Sequence, residues 1–165
     1  MCFNGKVMQV VILAAGRGKR LRPLTDEKPK PMIELLGKPI LEHVFESLPS
    51  ATDEVIIVVG YKGEKIKEYF GNKWRDISIS YVEQDEPKGT AHALSCAKGL
   101  IKNKPFLLVP GDNVTEFSVL ESGVEDKYVL FAYHHEHPER FGVIELNDDG
   151  KTLKQIQEKP EQPPT

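Results

Sequence analysis

The chain has 165 residues and a formal net charge of −3, with 39% hydrophobic and 28% charged residues. That balance predicts a single soluble globular domain with room for a sizeable core, and the mild net acidity argues against a general nucleic-acid binder. Cys2 and Cys96 lie far apart and give neither a disulfide framework nor a zinc spacing, and no segment approaches the roughly 20 apolar residues that span a bilayer. The N-terminal apolar run beside Lys6 imitates a signal peptide only weakly. Gln9 interrupts it and a strand needs it, so the cytoplasm is the default location and no membrane partner is expected.

Val10 to Leu13 is a short β-branched apolar run, the composition of a strand buried on both faces. Ala14, Ala15, Gly16 and Gly18 follow with almost no side-chain bulk, so a ligand can approach the backbone and meet free peptide N–H groups. Arg17, Lys19, Arg20, Arg22, Lys28 and Lys30 crowd the same loop, offset only by Asp26 and Glu27. A strand feeding a small-residue loop dense in cations outlines a polyphosphate site. Two familiar motifs fail on the letters. A P-loop requires Ser or Thr after Gly-Lys and a glycine five residues before that lysine's glycine; Arg20 and Leu13 occupy those places. A dinucleotide fingerprint requires a third glycine where Leu21 stands.

Met32 to Leu36 is a short apolar piece, and Gly37-Lys38-Pro39 reads as a turn. Ile40, Leu41, Val44, Phe45 and Leu48 fall on one face of a helix that Pro49 ends. Glu54 to Val59 is a second buried strand, and Gly63 to Phe70 a helix with Ile66, Tyr69 and Phe70 inward. Ile77 to Val82 is a third strand, followed by Glu83 to Ala91 and an apolar-faced helix through Leu100. Phe106 to Val109 is a fourth, ending in Pro110-Gly111-Asp112-Asn113, and Tyr128 to Tyr133 reads as a further strand. Gly142 to Leu146 and Leu153 to Glu158 flank Asn147-Asp148-Asp149-Gly150 as a hairpin, and Lys159 to Thr165 reads as loop or linker. Alternating strands and helices predict an α/β fold: three layers, Rossmann-like, with a mainly parallel central sheet. In such sheets ligands bind beyond the carboxyl ends of the strands, so the loops after Leu13, Val82 and Val109 should share one edge.

Gly16-Arg17-Gly18-Lys19-Arg20-Leu21-Arg22-Pro23-Leu24-Thr25, followed by Pro29-Lys30-Pro31, resembles the signature of the sugar-1-phosphate nucleotidylyltransferases. Lys19 departs from it, standing where many members carry Thr or Ser. Phe131-Ala132-Tyr133 and Pro138 to Val143 point to the glucose-1-phosphate thymidylyltransferase and uridylyltransferase branch. The resemblance implies transfer of a nucleoside monophosphate from a nucleoside triphosphate to a sugar-1-phosphate, with pyrophosphate released. It implies that Arg20 holds the triphosphate and departing pyrophosphate, that Lys30 reaches the phosphates, and that Asp112 holds Mg²⁺. A guanidinium suits the first role because it binds two phosphate oxygens at once and stays charged. Magnesium takes one or two carboxylates and completes its shell with phosphate and water. By itself, Gly111-Asp112 after a strand is equally a turn or a cap.

By the same resemblance Leu13, Ala14, Ala15, Gly16, Gly18, Gln84, Gly89 and Thr90 contact the nucleotide, and Asn113, Gly142, Glu158 and Lys159 the sugar phosphate. Gln84 stands five positions before Gly89, the place of the family's base-reading glutamine. An amide can donate and accept against uracil or thymine, whereas guanine's adjacent donors suit a carboxylate better, so UTP or dTTP is favoured. A mannose-1-phosphate guanylyltransferase is the nearest variant. Relatives continue beyond Glu158-Lys159-Pro160 and supply a second metal carboxylate there, and the stretch between Asn113 and Lys127 is short for the family. The chain therefore reads as a catalytic domain truncated at its C-terminal end, with a non-catalytic nucleotide-binding module as the rival and homo-oligomerisation left open. His134, His135, Glu136 and His137 alternate along an extended segment before Pro138, which argues against one metal centre.

Overall fold

The computed structural model describes residues 8–102, 105–123 and 128–162. The residues before Met8 and the last three of the expected C-terminal loop lie outside that range. The chain forms two compact units that divide between residues 127 and 128.

The first unit is built on β1, Met8–Ala14. It pairs in parallel with β4, Thr52–Val59, on one side and with β7, Phe106–Pro110, on the other. Beyond β4 lie β6, Ile77–Glu83, also parallel, and the short antiparallel β5, Lys73–Trp74. Strand period 2 assigns each face of β1 its own layer. Val10, Ile12 and Ala14 pack with Val55, Ile57 and Val59 against helix α1, Ile40–Glu46, and helix α2, Gly63–Phe70. Val11, Ile56 and Val58 pack on the opposite face against Ala93 and Ala97, from helix α3, Thr90–Cys96, and the turn after it. Ten side chains of β1 and β4 and of the two helices on the first face, among them Val10, Ile12, Leu41 and Ile66, are fully enclosed. Each such Val, Leu or Ile contributes about 1.5–3 kcal/mol relative to exposure. The predicted three layers and parallel sheet are present.

Three expectations need correction. Tyr69 is half exposed rather than inward, because its hydroxyl reaches out to donate to Glu42 Oε2 at 2.6 Å. Residues 34–39 form more than a turn: β2, Glu34–Leu35, and β3, Lys38–Pro39, pair as a small antiparallel hairpin. The strand expected over Tyr128 to Tyr133 is absent; residues 129–135 take no regular structure. Its β-favouring letters describe a surface that a neighbouring strand could use, but a strand exists only where a ladder forms. A further short helix, α4, Phe117–Ser122, occupies part of the abbreviated stretch after Asn113. The second unit contains the antiparallel hairpin of β8, Gly142–Leu146, and β9, Leu153–Glu158, as the turn letters indicate.

Candidate active site

The strands β1, β4, β6 and β7 run parallel, so the loops that follow them gather at one sheet edge. Backbone bonds tie these loops together: Gly111 N donates to Leu13 O at 2.9 Å, Tyr61 N to Ala15 O at 3.4 Å and Gln84 N to Val59 O at 2.8 Å. A Cβ on Gly60 would stand 2.9 Å from Ala15 O, so the close approach of these two loops depends on glycine.

Gly18 takes a left-handed conformation (φ +60°) and a Cβ there would stand 2.9 Å from Thr25 Cγ2 and 3.1 Å from the Lys30 Cβ. Thr25 is buried and donates its hydroxyl to Gly18 O at 3.1 Å. This contact folds the cationic loop back on itself and carries Lys30 to the sheet edge. Gly16 is different: a Cβ there would meet nothing within 4 Å. Its lack of a side chain leaves open space over the backbone.

The six loop cations separate by their partners. Arg22 pairs with Asp26 at 3.2 Å and Lys28 with Glu34 at 3.1 Å. Lys30 Nζ lies 2.6 Å from Asp112 Oδ2. Arg17, Lys19 and Arg20 have no carboxylate partner among the described residues, and all three are exposed. Arg20 sits in a single 3-10 turn, Lys19–Leu21, which Gly18 opens. The two candidate catalytic cations thus occupy different environments, one open to a ligand and one already holding a carboxylate.

A cleft of about 270 Å³ lies at this edge, lined by Ala15, Arg17, Gly60, Tyr61, Gln84 and Asp85 among others. Gln84 is buried to 8% exposure. Its amide nitrogen donates to Gly89 O at 3.2 Å and lies 2.9 Å from His92 Nδ1. Both contacts of the amide nitrogen thus lie inside the protein. Gly89 is the left-handed residue (φ +94°) that opens α3, and Thr90 is exposed at its start.

Sequence reasoning passed over Tyr61. It follows β4 at the same edge, and its hydroxyl is 3.1 Å from both Thr25 O and Asp26 O. Its ring faces the Arg17 guanidinium at 5.8 Å. The rule that ligands gather beyond strand ends would have found it had the loop after Val59 been counted. His92 was passed over as well, although it lies within the first turn after Gly89.

Asp112 and Asn113 follow β7 and are exposed. Among the described residues no group of three His, Cys, Asp or Glu side chains could hold a metal. In the second unit Gly142 pairs with Glu158 in the hairpin register, and a Cβ on Gly142 would stand 3.4 Å from Glu158 Oε2. Lys159 N donates to Phe141 O at 2.9 Å, and its Nζ lies 3.5 Å from Glu158 Oε1. The structure thus brings Gly142, Glu158 and Lys159 together at one end of the hairpin.

A mainly parallel sheet that carries a cationic glycine loop after β1 and a carboxylate after the neighbouring β7 is the frame of a Rossmann-like α/β protein. The chain belongs to the Nucleotidyl transferase family, whose pattern it matches over residues 9–165. It is 42% identical over 156 residues to the bifunctional protein GlmU of Methanocaldococcus jannaschii, covering 94% of this chain and 37% of that protein. It is 40% identical over 166 residues to the UTP–glucose-1-phosphate uridylyltransferase AglF of Haloferax volcanii, covering 96% and 68%. A UDP-glucose pyrophosphorylase solved with UDP-glucose superposes with a TM-score of 0.74 at 26% identity, over 94% of this chain and 70% of that one. The chain thus spans little more than a third of the first relative and about two thirds of the second. No helix among the described residues is long and apolar enough to cross a membrane.

Proposed function

We propose that this chain carries the nucleotide-binding part of a sugar-1-phosphate nucleotidylyltransferase that favours UTP or dTTP. The observation that carries the reading is the convergence at one sheet edge of the cationic loop, the Gln84 oxygen and the Lys30–Asp112 pair. A phosphate oxygen of the sugar-1-phosphate attacks the α-phosphorus, a new P–O bond forms, the bond to the β-phosphate breaks, and pyrophosphate leaves. Both reactants are anions, so the protein's work is positioning and charge neutralisation. Arg20, which has no carboxylate partner among the described residues, holds the triphosphate and the departing pyrophosphate. Lys30 reaches the reacting phosphates once they draw it from Asp112. Ala14 to Gly18 leave the backbone open to the nucleotide, and Gly89 and Thr90 follow β6 at the same sheet edge. Asn113 in the first unit, and Gly142, Glu158 and Lys159 in the second, are the candidates for contacts to the sugar phosphate.

Asp112 is the residue that would hold Mg²⁺. A single exposed carboxylate beside a phosphate site fits that ion, because phosphate oxygens and water complete its shell. When bound, the ion neutralises charge on the phosphate oxygens. Pyrophosphate release measured with UTP, dTTP, GTP and CTP against a panel of sugar-1-phosphates tests the reading. Release with UTP or dTTP and an aldose 1-phosphate is expected, and release with none of the four would contradict it.

A further inference from the structure

The Gln84 amide is held by two groups of different kinds. Gly89 O can only accept a hydrogen bond, and it is itself fixed by the bond from Ala93 N at 3.1 Å that opens α3. The amide atom facing it at 3.2 Å must therefore be the nitrogen. That same nitrogen is 2.9 Å from His92 Nδ1, and a nitrogen whose hydrogens point at both neighbours requires an acceptor there. His92 Nδ1 supplies that acceptor in the tautomer whose ring hydrogen is on Nε2. Both amide hydrogens are then spent inside the protein, and Oε1 is the group Gln84 offers to the cleft it lines.

We infer that His92 is a positioning residue for base choice: by accepting from the Gln84 amide it keeps Oε1 toward the nucleotide, selecting a pyrimidine whose N3 bears hydrogen over cytosine. This rests on the proposed nucleotidyl transfer at the same cleft. Uracil and thymine present N3–H to an acceptor, whereas cytosine N3 is itself an acceptor and would face Oε1 lone pair to lone pair. A donor at Nδ1 would reverse the arrangement. The amide would turn, present its NH₂ to the cleft and leave Gly89 O without its side-chain partner. His92 touches no substrate in this scheme, and its effect reaches the base through Gln84.

The test joins an orientation measurement to a selectivity measurement. Long-range ¹H–¹⁵N correlation of the His92 ring in mildly alkaline solution should show the Nε2–H tautomer; the Nδ1–H tautomer would overturn the inference whatever the protein binds. Calorimetric titration of UTP and CTP should show wild-type preference for UTP. In His92→Leu that preference should shrink by about fivefold, the loss of one hydrogen bond's worth of orientation. His92→Asn, which restores an acceptor at the equivalent δ position, should recover it. A merely structural histidine would weaken both nucleotides equally and leave their ratio unmoved, which would overturn the selecting role. Failure of the wild type to bind any triphosphate would instead overturn the nucleotide reading itself, and the ring tautomer would still report the orientation separately.

Discussion

Lys30 Nζ and Asp112 Oδ2 stand 2.6 Å apart across 82 positions of sequence, joining the loop after β1 to the loop after β7. Each side chain is about one-third exposed, so the pair itself is worth no more than about 1 kcal/mol. Its consequence is competition: the ammonium occupies the carboxylate that a divalent cation would use. Lys30→Met should leave the melting temperature nearly unchanged. It should also tighten Mn²⁺ binding by up to about fivefold, read by the free-ion electron paramagnetic resonance signal. Unchanged Mn²⁺ affinity would show that the ion does not use Asp112.

Arg20 should act on turnover more than on affinity. In the proposed role its guanidinium would meet charge that grows as pyrophosphate departs, and loss of one preorganised donor commonly costs about 10²–10³ in rate. Arg20→Ala is expected to lower kcat by that factor with a much smaller change in the Kd for UTP. Wild-type turnover would remove Arg20 from the role.

Gln84→Glu should weaken UTP and dTTP. The glutamate oxygen that replaces the amide nitrogen would face Gly89 O and His92 Nδ1, two acceptors, at the same distances. Leaving such buried groups unpaired costs about 1–3 kcal/mol, so the side chain would abandon that rotamer and no longer fix an oxygen toward the base. Titration of the four triphosphates checks it, with an unchanged order of preference as the contrary result.

Tyr61→Phe removes one hydroxyl that serves two carbonyls of the cationic loop, Thr25 O and Asp26 O. The cost to stability should be about 0.5–1.5 kcal/mol. The informative readout is local: amide exchange should quicken over residues 19–26 while β1 and β4 keep their protection.

The hairpin carries a pH dependence of its own. Backbone N–H groups of Thr152 and Lys151, and the Thr152 hydroxyl, hold the Asp149 carboxyl below its ordinary value. A depressed carboxylate stabilises above the unfolded value of about 3.9 and loses that contribution as pH falls through its lower folded value. Acid titration should therefore loosen the Asn147–Thr152 turn below that range, seen in the amide shifts of Ile144 and Ile156. Asp149→Ala should flatten the response.

The sheet was legible because burial writes itself into period and composition. Val10 to Leu13 and Val55 to Val59 could be little other than enclosed strands, and the hairpin was marked by Asn147 to Gly150. Tyr128 to Tyr133 carried the same β-favouring letters without a ladder, and letters do not reveal a neighbour. At the site, the residues were legible by type and spacing, and their partners were not. Nothing in the letters pairs Lys30 with Asp112, or turns the Gln84 amide toward Gly89 and His92. Those are consequences of tertiary approach, as is the tie from Tyr61 to the cationic loop.

The central claim is that the edge beyond β1, β4 and β6 receives a nucleoside triphosphate. Titrating ¹⁵N-labelled protein with UTP tests it most directly. The account predicts saturable shifts concentrated at Ala15 to Gly18, Tyr61, the Gln84 side-chain amide and Gly89, with the Asn147–Thr152 turn unmoved. Saturable shifts that spare Gln84 and Gly89, or no saturable binding at all, would contradict it.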